Sequence, residues 1–454
     1  MHKRSFLLSG ILATLSLTGL AQQSPVLFPD KSTVCFVGNS ITQNGEYIHY
    51  IRSYYATRFP ARQVKMFNCG ISGDVTGGIL ARMQPDIMSR KPDYAVIMIG
   101  MNDVNRPLYD AKFNGNDSAQ KKKAEALATY KANLTKIVSY LVEHKVKVIL
   151  QKPSIYDQTG KLGTNNLFGV NDALKTCAGY MQELATKYKL PVVDYWTIMT
   201  NVNKAMQAKD STATIVGKDR VHPASPGHFT MGYQFLHTTL GKVPAVSIKL
   251  APGVKKPEVT GATFTEFSYG SNHIGFTYKP AFLPYFVNPA AASALEYIPF
   301  TKELNTELLQ ITHMPAGNYA LMMNNVMAGE FTAEDFKKGI DLASLNTPET
   351  EQAKKVVEYC EAIRKHESDM RQVRHMEYRV LSKLPNGNIP DSGIAILKRK
   401  LADTAVKGND RINYERYLKN KAHETGLYKE FDAMYKKLYS INKPEAIRVR
   451  IQKM

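Results

Sequence analysis

The chain has 454 residues, 44% of them hydrophobic, and a formal net charge of +19. That length leaves room for more than one domain and a large core, and most of the positive excess lies before residue 246. Such a field favours acidic substrates or anionic surfaces, yet no basic motif interleaved with aromatics and no nucleic-acid fold signature appears, so no nucleic-acid partner is expected.

Met1 to Ala21 carries His2, Lys3 and Arg4, an apolar run from Phe6 to Leu20, and the small residues Gly19-Leu20-Ala21. This pattern predicts a signal peptide and an exported protein, periplasmic or extracellular. The run is short for a membrane span, and no later segment approaches about 18 uninterrupted apolar residues, so no integral membrane segment is expected once the signal is removed.

The first predicted strand, Val34 to Val37, runs into Gly38-Asn39-Ser40, and a helix from Glu46 to Phe59 follows with Tyr47, Ile48, Ile51, Tyr54 and Tyr55 on one side. Val64 to Asn68 is a second strand, ending at a glycine loop before a helical stretch from Gly78 to Met88. Tyr94 to Ile99 is an unbroken apolar third strand of the kind covered on both faces. A polar insertion, Asn105 to Lys123, precedes a helix over 124–144, a strand over 146–150, a helix over 169–187, a strand over 191–195 and a closing helix from about Gly227 to Leu240. Strands alternating with helices of this length imply a five-stranded parallel sheet in a three-layer α/β domain, here 26–245.

From Val246 to residue 332 the pattern changes to short strands (246–250, 263–269, 274–278, 308–312 and 319–323), which predicts a small β module. From Ala333 to the end the chain reads as helical. Val356, Cys360, Ile363, Met370 and Val373 follow helical spacing, and the Leu384-Pro385-Asn386-Gly387 stretch turns the chain back. Tyrosines between Tyr414 and Tyr439 could stack on sugars, but a helix-packing role fits them better. Cys35 lies mid-strand and Cys69 at a strand end, too far apart along the strands for a bridge, and Cys177 and Cys360 fall in helical patterns; all four are expected as buried thiols.

Chemistry-bearing residues recur at three predicted strand ends, Ser40, the stretch Asn68-Cys69-Gly70-Ile71-Ser72-Gly73-Asp74 and Gly100-Met101-Asn102-Asp103, and in the loop before the closing helix, Asp219-Arg220-Val221-His222-Pro223. Each has an ordinary explanation. Ser40 or Thr42 could cap a helix, Gly73 could serve a turn, Asn102 could cap a strand end, and Asp219 with His222 could be a surface ion pair. Together and in this order they resemble the four blocks of the SGNH or GDSL-type hydrolases, over roughly the first 245 residues. The resemblance implies a flavodoxin-like α/β fold with Ser40, Asp219 and His222 as catalytic triad and Ser40, Gly73 and Asn102 as oxyanion hole. Asn39 stands where many members carry Asp. The region around Met314-Pro315-Ala316-Gly317 more loosely resembles an appended region of certain bacterial members.

Ser40 would attack an acyl carbonyl, His222 would take and return the proton, and Asp219 would hold the imidazole. No His or Cys cluster has metal-ligand spacing and the glycines of the second block lack phosphate-loop spacing, so neither metal nor cofactor is expected. The reading is an exported serine esterase acting on O-acyl, chiefly O-acetyl, esters of carbohydrate, including acidic polysaccharide. A lipase or thioesterase is the alternative among enzymes, and an inactive glycan-binding protein the alternative outside them.

Overall fold

A computed structural model describes residues 25–454 except 242, 244, 252–256, 271 and 388; the expected signal, Met1 to Ala21, lies outside the described residues. Five strands, β1 (Thr33–Gly38), β2 (Lys65–Gly70), β3 (Tyr94–Met98), β4 (Lys147–Lys152) and β5 (Val192–Asp194), pair in parallel in the order β2-β1-β3-β4-β5. β3 is buried along its whole length, as an apolar run between two helical layers requires. The helices are α1 (Ser40–Asn44), α2 (Glu46–Arg58), α3 (Thr76–Ala81), α4 (Asp117–Glu143), α5 (Val170–Tyr188), α6 (Tyr195–Lys209) and α7 (Ser225–Leu240). The expected three-layer α/β domain with a five-stranded parallel sheet is therefore present. Because β2 and β3 flank β1, the loops after all three open side by side at the carboxyl edge, where the strand order reverses.

Several boundaries differ from the sequence reading. The helix expected over 78–88 stops at Ala81 and continues as a π-turn over Met83–Ile87, where Pro85 removes a backbone donor. The polar insertion is shorter than expected, since Asn116 accepts the Ala119 N–H and starts α4, which puts Lys121 to Lys123 on a helix. α6 was not anticipated; Asp194 ends β5 and at once caps that helix by accepting from the Thr197 N–H. Cys35 and Cys69 are free thiols but lie within hydrogen-bonding reach of each other, closer than strand arithmetic suggested, because the register sets Cys69 opposite Val37.

Beyond α7, the strands β6 (Val246–Leu250), β7 (Glu258–Thr260), β8 (Ala262–Tyr269) and β9 (His273–Pro280) precede the short helix α8 (Phe300–Leu304). β10 (Glu307–Ile311), β11 (Asn318–Met323), β12 (Val326–Thr332), α9 (Ala333–Lys338) and β13 (Ile340–Asp341) follow. The tail contains α10 (Pro348–His375), α11 (Pro390–Ala402), α12 (Gly408–Ala422) and α13 (Glu424–Ile441), then a strand, β14 (Ile447–Lys453). The end of the chain is thus not helical. Ile447, Val449 and Ile451 are buried and alternate with exposed Arg448 and Arg450, and this period-two segment inserts between β9 and β11. The strands form two sheets, β13-β10-β6-β7 and β12-β11-β14-β9-β8.

The tail also completes the parallel sheet. β2 is an edge strand, and its outward backbone groups recur every second residue. Tyr439 donates to the Val64 carbonyl (2.8 Å), and the Tyr435 hydroxyl accepts from the Met66 N–H and donates to its carbonyl (both 2.9 Å). Glu367 Oε1 accepts from the Asn68 N–H (2.6 Å), and Arg371 donates to the Gly70 carbonyl from Nε and Nη2 (both 3.2 Å). Two buried ion pairs fix the same seam: Arg52 with Glu367 at 2.8 Å, and Arg371 with Asp86 at 2.7 Å. α2, expected to bury one side, is consequently buried at every residue from Tyr47 to Arg58.

Candidate active site

β1 enters the site through Gly38, where a Cβ would stand 2.5 Å from the Met98 carbonyl and 2.2 Å from Thr42 Oγ1; no larger residue fits between the strands. Asn39 then caps α1, its Oδ1 accepting from the Ile41 N–H at 3.1 Å. The departure from Asp at this position leaves the capping role intact, since both side chains accept. Because Asn39 caps the helix, Ser40 does not have to, and its hydroxyl is free for other partners. Ser40 is also the first residue of α1, so its N–H has no intrahelical acceptor.

The fourth segment lies between α6 and α7 and is held as a tight loop. An isolated bridge joins Val216 to Pro223, and the Gly217 N–H donates to the His222 carbonyl at 2.6 Å. Arg220 has a left-handed backbone (φ 67°) and buries its guanidinium against the loop after β4, donating to the carbonyls of Asp157 (2.8 Å), Gly160 (3.0 Å) and Thr164 (3.1 Å). The pinned loop sets Asp219 and His222 in one line with Ser40. Ser40 Oγ lies 2.8 Å from His222 Nε2, and His222 Nδ1 lies 2.5 Å from Asp219 Oδ2. Asp219 Oδ1 accepts from the Val221 and His222 N–H groups, both at 3.0 Å. Partial desolvation raises the Asp219 pKa, but these hydrogen bonds outweigh it and hold the carboxyl below its ordinary range.

Gly73 has φ 74°, a left-handed turn that favours glycine. Among the described residues the N–H groups of Ser40 and Gly73 have no hydrogen-bond partner. Asn102 donates one amide hydrogen to the Asp74 carbonyl (2.9 Å), and its Oδ1 accepts from Arg106 Nη2 (3.4 Å). Behind this loop, Asp103 Oδ1 accepts from both the N–H and the hydroxyl of Thr76 at 2.7 Å, tying the loops after β2 and β3 together. Burial raises the Asp103 carboxyl to about 6.

A cleft of about 460 Å³ opens beside Ser40 and His222 and is lined also by Ser72, Arg364 and Ser368 among others. His228 also lines it; it is stacked on Tyr47, and burial lowers its pKa to about 4, so it stays neutral. His49, a residue of α2, is buried and its pKa is lowered to about 4 for the same reason. Sequence reasoning missed Arg106, Arg364 and Ser368. Arg364 and Ser368 come from α10, more than 300 residues after Ser40, and no local motif signals them.

The GDSL-like lipase/acylhydrolase family matches residues 36–228. An acetylxylan esterase of Geobacillus stearothermophilus is 26% identical over 216 residues, 44% of this chain and 90% of that protein. Esterase TesA of Pseudomonas aeruginosa is 30% identical over 123 residues, 27% of this chain and 59% of that one. The structure of a gut microbial diltiazem-metabolizing enzyme superposes with a TM-score of 0.87 at 26% identity, covering 95% of this chain and all of that one, so the likeness extends through the β sheets and the tail. Over residues 36–228, therefore, this chain carries a GDSL-like lipase/acylhydrolase domain of the SGNH hydrolase superfamily, and it is an esterase or acylhydrolase of that family.

Proposed function

We propose that the protein is an exported serine esterase that removes O-acyl groups, chiefly acetyl, from carbohydrate. The observation that carries the reading is the continuous relay from Ser40 Oγ through His222 to Asp219, at 2.8 and 2.5 Å. Ser40 attacks the acyl carbonyl as His222 Nε2 takes its proton, and Asp219 holds the Nδ1–H tautomer and stabilises the imidazolium. The developing oxyanion is met by the N–H groups of Ser40 and Gly73 and by the second amide hydrogen of Asn102. Collapse of the tetrahedral species expels the sugar hydroxyl, protonated by His222, and leaves acyl-Ser40. A water molecule, deprotonated by His222, then releases the acid and regenerates Ser40.

The acetylated-carbohydrate assignment draws support from the acetylxylan esterase relative and from the basic hydrolase region. Export rests on the pattern of residues 1–21. The test is acetate release from a panel of acetylated glycans and of esters of increasing chain length, with Ser40→Ala alongside. The reading predicts release that falls beyond about two or three acyl carbons and is abolished in the variant. Activity that rises with chain length would instead identify a lipase or thioesterase, and glycan binding without release would identify a binding protein.

A further inference from the structure

α10 does not end at His375 but continues into a π-turn, Met376–Val380. Such bulges displace side chains from the helical register and recur at functional sites. This one carries Arg379 to the loop after β2. A Cβ on Gly73 would stand 2.8 Å from Arg379 Nη2 and about 3.5 Å from Cζ and Nε, so the guanidinium rests against the glycine assigned to the oxyanion hole. The space left by the missing side chain of Gly73 is taken by Arg379.

The other arginines along this seam are all engaged. Arg52 pairs with Glu367, Arg82 with Asp74 and Asp86, and Arg371 with Asp86; Arg364 binds Glu361 and the Asn44 carbonyl, and Arg374 pairs with Glu377. Half-buried Arg379 has no ion pair and no hydrogen bond among the described residues. Asp74, the acidic side chain whose charge it feels, is already bound by Arg82 Nε at 2.9 Å. A partly desolvated guanidinium with all its donors unspent, beside a reacting centre, is a carboxylate receptor.

We propose that Arg379 binds an anionic group on the alcohol portion of the ester, so that the substrate class is an acetylated acidic sugar. The inference rests on the reading of the protein as a carbohydrate acetylesterase. An acetyl group carries no charge, and the carboxylate must therefore belong to the sugar. Arg379 is a specificity-determining residue supplied by the tail, and the hydrolase fold alone would lack it.

The experiment compares kcat/KM for acetylated oligogalacturonate and acetylated xylo-oligosaccharide in the wild type, Arg379→Ala and Arg379→Lys. The wild type should prefer the acidic ester. Arg379→Ala should lower the acid-to-neutral ratio on the order of ten- to a hundredfold, the worth of one charge-assisted hydrogen bond, and the loss should fall in KM. Arg379→Lys should retain part of the preference, and added salt should erode that of the wild type. Should Arg379→Ala fail to fold, Arg379→Gln carries the same comparison. Equal losses on both esters, or a wild type that prefers the neutral one, overturns the proposal and leaves the esterase reading standing. A wild type inert on both esters overturns the two together.

Discussion

The seam between the tail and β2 makes Glu367→Ala a demanding perturbation. Glu367 receives the Asn68 N–H at 2.6 Å and pairs with Arg52 at 2.8 Å, and the two side chains are 3% and 1% exposed. Removing the carboxylate strands a buried guanidinium, which keeps only the Met66 carbonyl and the Tyr435 hydroxyl, and leaves a strand-edge N–H unpaired. Breaking a buried pair from one side costs about 3–5 kcal/mol. Asp432→Ala provides the contrast: its bond to Lys65 is also 2.8 Å, but the partners are 55% and 36% exposed, so its removal should cost no more than about 1 kcal/mol. Urea unfolding followed by fluorescence and circular dichroism measures both. Because Glu367 and Arg371 hold the strand that leads into Gly70 and Gly73, esterase turnover should also fall in Glu367→Ala under conditions where it remains folded. A stability loss under about 1 kcal/mol, matching that of Asp432→Ala, would refute the argument that the tail is built into the sheet through this seam.

Three further outcomes follow from particular contacts. Asn102→Ala should lower kcat on the order of 10²- to 10³-fold with little change in KM, measured by steady-state acetate release, because the side chain acts on charge formed only in the transition state. Asn39→Ala should cost about 1 kcal/mol in thermal unfolding and lower turnover, whereas Asn39→Asp should keep the cap and the activity. Glu307 and Glu349 are buried together where α10 begins; burial, and for Glu307 also the neighbouring carboxylate, raises both pKa values, that of Glu349 to about 7. The folded state therefore holds these protons more tightly than the unfolded one. The stability this pair contributes should be fullest below the ordinary glutamate range and be lost as pH rises from about 4.5 to 7, a loss seen as the difference between wild type and Glu349→Gln in melting temperatures taken across that range.

The parallel sheet was legible because its strands are apolar runs between glycine turns and its helices are long and periodic. The four site segments were legible because three of them follow strand ends, the fourth lies in the loop before α7, and each carries local residue types suited to the chemistry. α6 was hidden because Asp194 serves both β5 and the cap of the following helix. β14 was hidden because it is short and lies after four tail helices, and only its alternation of Ile and Val with Arg marks it. The seam on β2 depends on contacts spanning some 300 to 375 positions, such as Tyr439 with Val64, and no spacing rule reaches that far. The same holds for Arg379, whose position depends on one π-turn at the end of α10.

Whether Ser40 becomes acylated decides the account most directly. Rapid quenching during turnover of an activated acetyl ester, followed by peptide mass analysis, should find the acetyl group on the peptide bearing Ser40. It should form far more slowly in His222→Ala, which lacks the base that takes the Ser40 proton, and be absent in Ser40→Ala. Turnover by Ser40→Ala at the wild-type rate, with no acylated peptide in either protein, would contradict the relay from Ser40 to His222 and Asp219 as the source of activity.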